Sequence, residues 1–258
     1  MLLVLDIGNT NTVAGVYRGK KLVQSWRFVS DRAKTSDEYA VLLSDLFAQS
    51  KLKPSSITAA ILASVVPPLV RVLCEAIKKR FKRKALVVGP DLDLGLKIKI
   101  RAPQEVGADR LVNAVAGFAA FGGPLLILDF GTATTVDAVG RDGAYLGGAI
   151  APGINISMEA LVARAAKLPR IDMAPPVNPI GASTVEAMRS GLYFATLGGV
   201  RELCQVLGAE LKRRDGRKPL LLATGGLSYW LPTKELGIKA VLPDLTLDGL
   251  RLIYERNR

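Results

Sequence analysis

There is no histidine anywhere in the 258 residues of the chain. That absence removes Ser-His-Asp and Cys-His nucleophilic schemes and the usual zinc and non-haem iron sites, so proton transfer must fall to carboxylates, Lys, Tyr or bound water. Cysteine is nearly as scarce. Cys74 and Cys204 stand alone with no CxxC spacing, which argues against a disulfide framework and a zinc site. No apolar run approaches the roughly 18 residues that a membrane span needs. The opening MLLVL is too short for a signal peptide and has no basic region ahead of it. A cytoplasmic protein is expected.

What remains is the profile of a globular enzyme with a substantial core, 49% hydrophobic and 22% charged. The net charge of +12 suits a polyanion and suits a phosphate-rich small substrate equally well. Its densest run, KKRFKRK at 78–84, closes an amphipathic helix, where cations favour the negative end of the helix dipole and stay solvated. A polyanion-binding role for that run is the lesser reading.

The first half reads βββαβαβ. Residues 1–6 form a buried strand, and TVAGVYRG and KLVQSWRFVS form two more, joined at Gly19-Lys20. Thr35 and Glu38 make a capping box ahead of a helix with Tyr39, Leu42, Leu43 and Leu46 on one face. Strand 58–63, the loop SVVPP, helix 69–82 and strand 84–88 follow. The second half begins the same way, with strand 124–129 and two short strands turning near Asp142-Gly143. From there it reads as helical as far as the apolar strand in RKPLLLATGG (217–226). A closing amphipathic helix carries Leu247, Leu250, Ile253 and Tyr254 near one face.

Both halves open on one phrase, LDIGNTNTV at 5–13 and LDFGTATTV at 128–136. A shift of 123 positions superposes Asp6 on Asp129, Gly8 on Gly131, Thr12 on Thr135, Val13 on Val136, Val16 on Val139 and Arg18 on Arg141. Repetition through the following hairpin implies two related domains, 1–117 and 118–258, whose loops face each other across a cleft. Each loop is suited to phosphate: glycines let backbone N–H groups approach, and Thr and Asn add neutral donors. Asp at the strand end cannot bind phosphate directly, so it implies a cation between them. The plain alternative is a pair of hairpin loops with Asx-turn aspartates. ATGGLS (223–228) supplies a further glycine element after a strand.

In PQEVGADRLVNAVAG (103–117), Pro103 and Gly107 mark a loop, and Leu111, Val112, Val115 and Phe118 give the next helix its buried stripe. Asp109 and Arg110 open that helix. Two readings stay open: a helix-capping aspartate beside a surface ion pair, or a carboxylate base beside a guanidinium that grips an anionic substrate.

The loops DIGNTNT, EVGADRLVNAVAG and LDFGTATTVD resemble those of type III pantothenate kinases, as do GGAIAPGINIS (147–157), STVEAMRSG (183–191), ATGGLS and LTLDGLRLIYERN. The matches run in the family's order from residue 5 to the C-terminus. The resemblance implies the actin, sugar-kinase and chaperone-ATPase superfamily: an α/β fold of two ribonuclease-H-like domains with an interdomain ATP cleft. It implies transfer of the ATP γ-phosphoryl group to the 4′-hydroxyl of pantothenate, the first step of coenzyme A biosynthesis. Mg²⁺, K⁺ (or NH₄⁺) and a cytoplasmic homodimer come with it, and neither a membrane nor nucleic acid is expected as a partner.

Carried over by that resemblance, Asp6, Ile7, Gly8, Asn9, Thr10, Asn11, Thr12 and Val13 surround the ATP phosphates, with Asp6 near Mg²⁺ and Thr132 a further phosphate contact. Asp109 is the catalytic base, Arg110 the partner of the pantothenate carboxylate, Gly107 and Ala108 the neighbouring wall, and Thr184 a pocket residue. Asp129 is the ligand of the monovalent cation. One position departs from the pattern: Ile100 stands where members often have a Tyr lining the substrate pocket. Two other functions stay open, a kinase of another small hydroxy acid and a kinase-fold regulatory or nucleic-acid-binding protein.

Overall fold

The computed structural model describes residues 1–230 and 232–258. Its first sheet is built from β1 (Leu2–Ile7), β2 (Asn11–Arg18), β3 (Lys21–Val29), β4 (Ala59–Ser64) and β5 (Ala85–Val87), in the order β3-β2-β1-β4-β5. β1 pairs antiparallel with β2 and parallel with β4, so the carboxyl ends of β1 and β4 share one edge. Four residues of β1, Leu3 to Leu5 with Ile7, have no exposed surface, as the central strand of a covered sheet requires. The β2–β3 turn is Gly19-Lys20, with Gly19 at φ +58°, the left-handed position that a two-residue hairpin turn needs.

Helix α1 (Ser36–Gln49) starts at the expected capping box: the Thr35 hydroxyl accepts from the Glu38 N–H, and the Glu38 carboxylate accepts from the Thr35 N–H. It buries Tyr39, Leu43 and Phe47, and Phe47 meets Phe81 of α2 (Pro67–Phe81) with ring centroids 4.9 Å apart. The two prolines read as loop form the first turn of α2, where their missing N–H groups cost nothing. Helix α3 (Ala108–Phe121) follows a single 3₁₀ turn at Pro103–Glu105.

The second sheet repeats the first. β6 (Leu125–Phe130), β7 (Ala133–Val139), β8 (Tyr145–Pro152), β9 (Leu220–Thr224) and β10 (Ile238–Val241) stand in the order β10-β9-β6-β7-β8, the mirror of the first listing and the same topology. The helices differ. Residues 154–216 are not helical throughout: α4 (Ile154–Arg164) and α5 (Thr184–Asp215) are separated by an irregular stretch containing Pro169, Pro175, Pro176 and Pro179, which cannot continue a helix.

The structure also corrects the register of the repeat. Ile7 pairs with Thr12, leaving four loop residues, whereas Phe130 pairs with Thr134, leaving three. Thr12 therefore corresponds to Thr134, not Thr135, and every later position shifts by one. Inside-outside alternation agrees, because Thr12, Ala14 and Val16 are buried, as are Thr134, Val136 and Ala138. So does a β-bulge, which falls between Val16 and Tyr17 in one hairpin and between Ala138 and Val139 in the other.

The chain forms two compact units, but they are not its two halves. One comprises Met1–Leu96, Arg101–Ala119 and Asp244–Arg258; the other comprises Lys97–Ile100 and Ala120–Pro243. Helix α6 (Leu245–Arg256) thus joins the first unit, burying Leu247, Leu250 and Ile253 against β1, β2 and β4. Lys97–Ile100 joins the second through backbone bonds at 2.8 Å with Tyr145 and a 2.8 Å ion pair from Lys99 to Asp142. Among the described residues, no helix is long and apolar enough to cross a membrane.

Candidate active site

In the first unit the β1–β2 loop closes on itself, the Gly8 N–H donating to the Asn11 carbonyl at 3.1 Å. Asn9 and Thr10 are exposed, and Gly8, Asn11 and Asp6 are half-buried. Ile7 and Thr12 have no exposed surface, and the Thr12 hydroxyl bonds that of Ser30 at 2.8 Å. These two frame the loop from beneath and hold its ends in the sheet. Arg32 donates to Asn9 Oδ1 at 3.2 Å, bringing a cation to the loop that no motif announced.

Asp109 reaches the same edge of the sheet. Val65, just past β4, donates its N–H to the Ile7 carbonyl at 3.1 Å. The Val65 Cγ1 lies 3.4 Å from where a side chain at Gly107 would begin, and Asp109 Oδ1 lies 2.5 Å from that point. A side chain at Gly107 would therefore displace the Asp109 carboxylate. The Asp109 Oδ1 accepts from the Arg110 N–H at 2.8 Å. Burial raises the Asp109 pKa above its ordinary value, against the lowering effects of that N–H and of the Arg110 charge. A carboxylate with raised proton affinity in a first helical turn has the chemistry of a general base.

In the second unit, Asp129 ends β6 beside Thr224 of the parallel strand β9. Gly225 follows at φ +89°, and a side chain there would begin 2.5 Å from Asp129 Oδ1 and from the Phe130 nitrogen. Opposite, Gly153 caps α4 with its would-be side chain 2.3 Å from the Thr132 carbonyl and 2.8 Å from that of Gly131. The exposed Gly131-Thr132 turn is thus held close by the N-terminus of α4, a position suited to anions. Gly153 lies in the GGAIAPGINIS stretch, and nothing in its local pattern signals this close approach to the Gly131-Thr132 turn. Thr184 opens α5 and lines an apolar groove with Leu161, Leu168, Met188 and Leu192. Ile100 lies beside Gly147, its Cγ2 3.5 Å from the would-be Cβ.

Two sheets of identical strand order, each with an Asp near the end of its central strand and a glycine-bearing loop behind it, define a duplicated α/β fold built on two mixed five-stranded sheets. Solved structures share the fold: a 2-dehydro-3-deoxygalactonokinase assignment from Sinorhizobium meliloti (TM-score 0.58, 11% identity, 99% of this chain and 96% of that one) and a Baf family transcriptional activator assignment from Campylobacter jejuni (0.56, 18%, 98% and 97%). The sequence profile of the type III pantothenate kinases matches residues 2–206, and the chain belongs to that family. Similar relatives named type III pantothenate kinase come from Geobacter sulfurreducens, 48% identical over all of both chains, and Moorella thermoacetica, 47% identical over all of both. The chain is accordingly a phosphotransferase of coenzyme A biosynthesis, acting on pantothenate with ATP.

Proposed function

We propose that the chain phosphorylates the 4′-hydroxyl of pantothenate with Asp109 as general base and Arg110 as the anchor of the substrate carboxylate. The half-buried Asp109 carboxylate, next to Gly107 and the Val65 that bonds the end of β1, carries this reading. As the hydroxyl oxygen forms its bond to the γ-phosphorus, its proton passes to Asp109 and ADP leaves. A high-pKa hydroxyl loses that proton late, so a carboxylate suffices and the lack of histidine is no handicap. Arg110 offers a planar fork that matches a carboxylate, with Gly107 and Ala108 as the adjoining wall and Thr184 contributing a hydroxyl.

Donors for the ATP phosphates come from Gly8, Asn9, Thr10 and Asn11, with Thr132 on the second loop; Ile7, Thr12 and Val13 hold the first loop in shape. Among the described residues no three His, Cys, Asp or Glu side chains cluster as a metal site. Mg²⁺ would be held by phosphate oxygens together with Asp6, since this ion commonly takes one or two carboxylates plus substrate phosphates. Asp129 and nearby backbone carbonyls are hard oxygen donors suited to K⁺ (or NH₄⁺). When bound, these cations neutralise phosphate charge.

The working form is a cytoplasmic homodimer. Leu161, Phe194 and Val206 on α4 and α5, with Val177 and Ile180 between those helices, are exposed apolar side chains of the kind such an interface would cover. Sedimentation is expected to give twice the 27.5 kDa of one chain, with Phe194→Glu shifting it toward one; a parent protein that sediments as a single chain removes the dimer. Retention of Asp6, Asp109 and Asp129 speaks against a regulator released from catalysis. A panel of small hydroxy acids with ATP, Mg²⁺ and K⁺ tests the substrate. ADP release is expected with pantothenate alone, and equal turnover with another acid, or none above background, defeats the assignment.

A further inference from the structure

Helix α6, which lies beyond the 2–206 profile match, touches both flanks of the segment that carries Asp109. On one flank its Thr246 hydroxyl donates to Asn113 Oδ1 at 2.7 Å. Asn113 is only 1% exposed and sits four residues after Asp109, one turn along α3. Next to it, Gly249 presses so close to α3 that a side chain there would begin 2.2 Å from the Val112 carbonyl. On the other flank Asn257, just past the helix, accepts from the Asp93 N–H at 2.9 Å and donates to the Asp93 carbonyl at 2.8 Å. The Arg256 guanidinium lies against Gly95, 2.5 Å from its would-be side chain.

The helix is itself fixed to the sheet. Tyr17 donates to Asp248 at 2.8 Å, and the Arg251 guanidinium stands 5.6 Å from the Tyr17 ring centre. Leu247 Cδ1 lies 3.0 Å from where a side chain at Gly15 would begin. α6 thus brackets residues 93–113, gripping the stretch before Lys97–Ile100 and the second turn of α3, while Asp109 and Arg110 lie within the bracket.

We propose that α6 positions the Asp109–Arg110 turn, with Thr246 the positioning residue that acts through Asn113. This rests on the assignment of Asp109 as base. Thr246→Val keeps the shape and removes the donor to a buried amide oxygen, a change that frees the start of α3 to shift. Small displacements of a reacting group cost rate steeply. Steady-state kinetics of the full-length chain, with melting curves, are the test. Thr246→Val is expected to lower kcat about tenfold with KM for ATP unchanged, and Thr246→Ser, which restores the hydroxyl, to return kcat to within about twofold of the parent.

A lowered melting point with kcat intact would show a purely structural hydroxyl and overturn the proposal. Should Thr246→Val fail to fold, Asn257→Ala serves instead at the exposed end of the bracket. A fall in kcat with ATP KM unchanged supports positioning, and unaltered kcat overturns it. Asp109→Ala measured in parallel separates the two layers: if it stays active the base assignment fails, whereas an inactive Asp109→Ala beside a fully active Thr246→Val removes only the role of α6.

Discussion

Asp109→Asn is expected to lose about a hundred- to ten-thousand-fold in kcat/KM, the usual worth of a general base, while yielding a more heat-resistant protein at neutral pH. Both effects follow from one cause. Burial raises the Asp109 pKa, so the folded chain holds that proton more tightly than the unfolded chain does. The group's contribution to stability is then present below the unfolded pKa and lost as pH rises through the folded one. At neutral pH the chain keeps a charged carboxylate in a poorly solvated turn, and Asn removes that cost while still accepting the Arg110 N–H. The melting-point advantage of Asp109→Asn should therefore vanish below about pH 4, where the unfolded carboxylate is protonated too. In the parent, kcat/KM should rise with pH along an acid limb displaced above the ordinary Asp range. Turnover above a tenth of the parent's would remove Asp109 as base, and equal melting points at neutral pH would remove the burial argument.

Some of this was legible in the sequence and some was not, for physical reasons that differ by residue. The strands and the duplication were plain because apolar runs ending in Asp-x-Gly impose their pattern locally. The register of the repeat was not. Matching letters favours Thr12 with Thr135, but strand pairing is set by which face is buried, and that makes Thr134 the equivalent. Ile7 and Thr12 belong to a loop motif yet are wholly buried, because a motif records a backbone shape and not which side chains face solvent. The attachment of α6 to the first unit depends on pairs such as Tyr17 with Asp248, separated by 231 positions and invisible to any local pattern. Arg32 was missed for the same reason: its meeting with Asn9 arises only when β2 and β3 pair. Asp109 was readable as a residue, whereas its raised proton affinity comes from desolvation that only the fold produces.

Glycine at 225 is where backbone geometry and the proposed cation site meet, and Gly225→Ala is expected to harm both stability and activity. At φ +89° an L side chain is strained, by roughly 1–2 kcal/mol, which in a protein of this size lowers the melting point by about 2–8 °C. The added carbon would also begin 2.5 Å from Asp129 Oδ1 and from the Phe130 nitrogen, so either the carboxylate or the end of β6 must move. Gly216 provides the control. It ends α5 at φ +71° with nothing within 4 Å of its would-be side chain, so Gly216→Ala carries comparable backbone strain without touching the site. The expected contrast is a similar loss of stability in both variants, larger at Gly225, with kcat/KM reduced at least about tenfold only in Gly225→Ala. If Asp129 holds the monovalent cation, Gly225→Ala should also need more K⁺ to reach half its maximal rate, while Gly216→Ala should not. Equal activity in the two variants would show that the Gly225 contact leaves Asp129 undisturbed and would separate that glycine from catalysis. An unchanged K⁺ requirement in an otherwise impaired Gly225→Ala would instead place the cation away from Asp129.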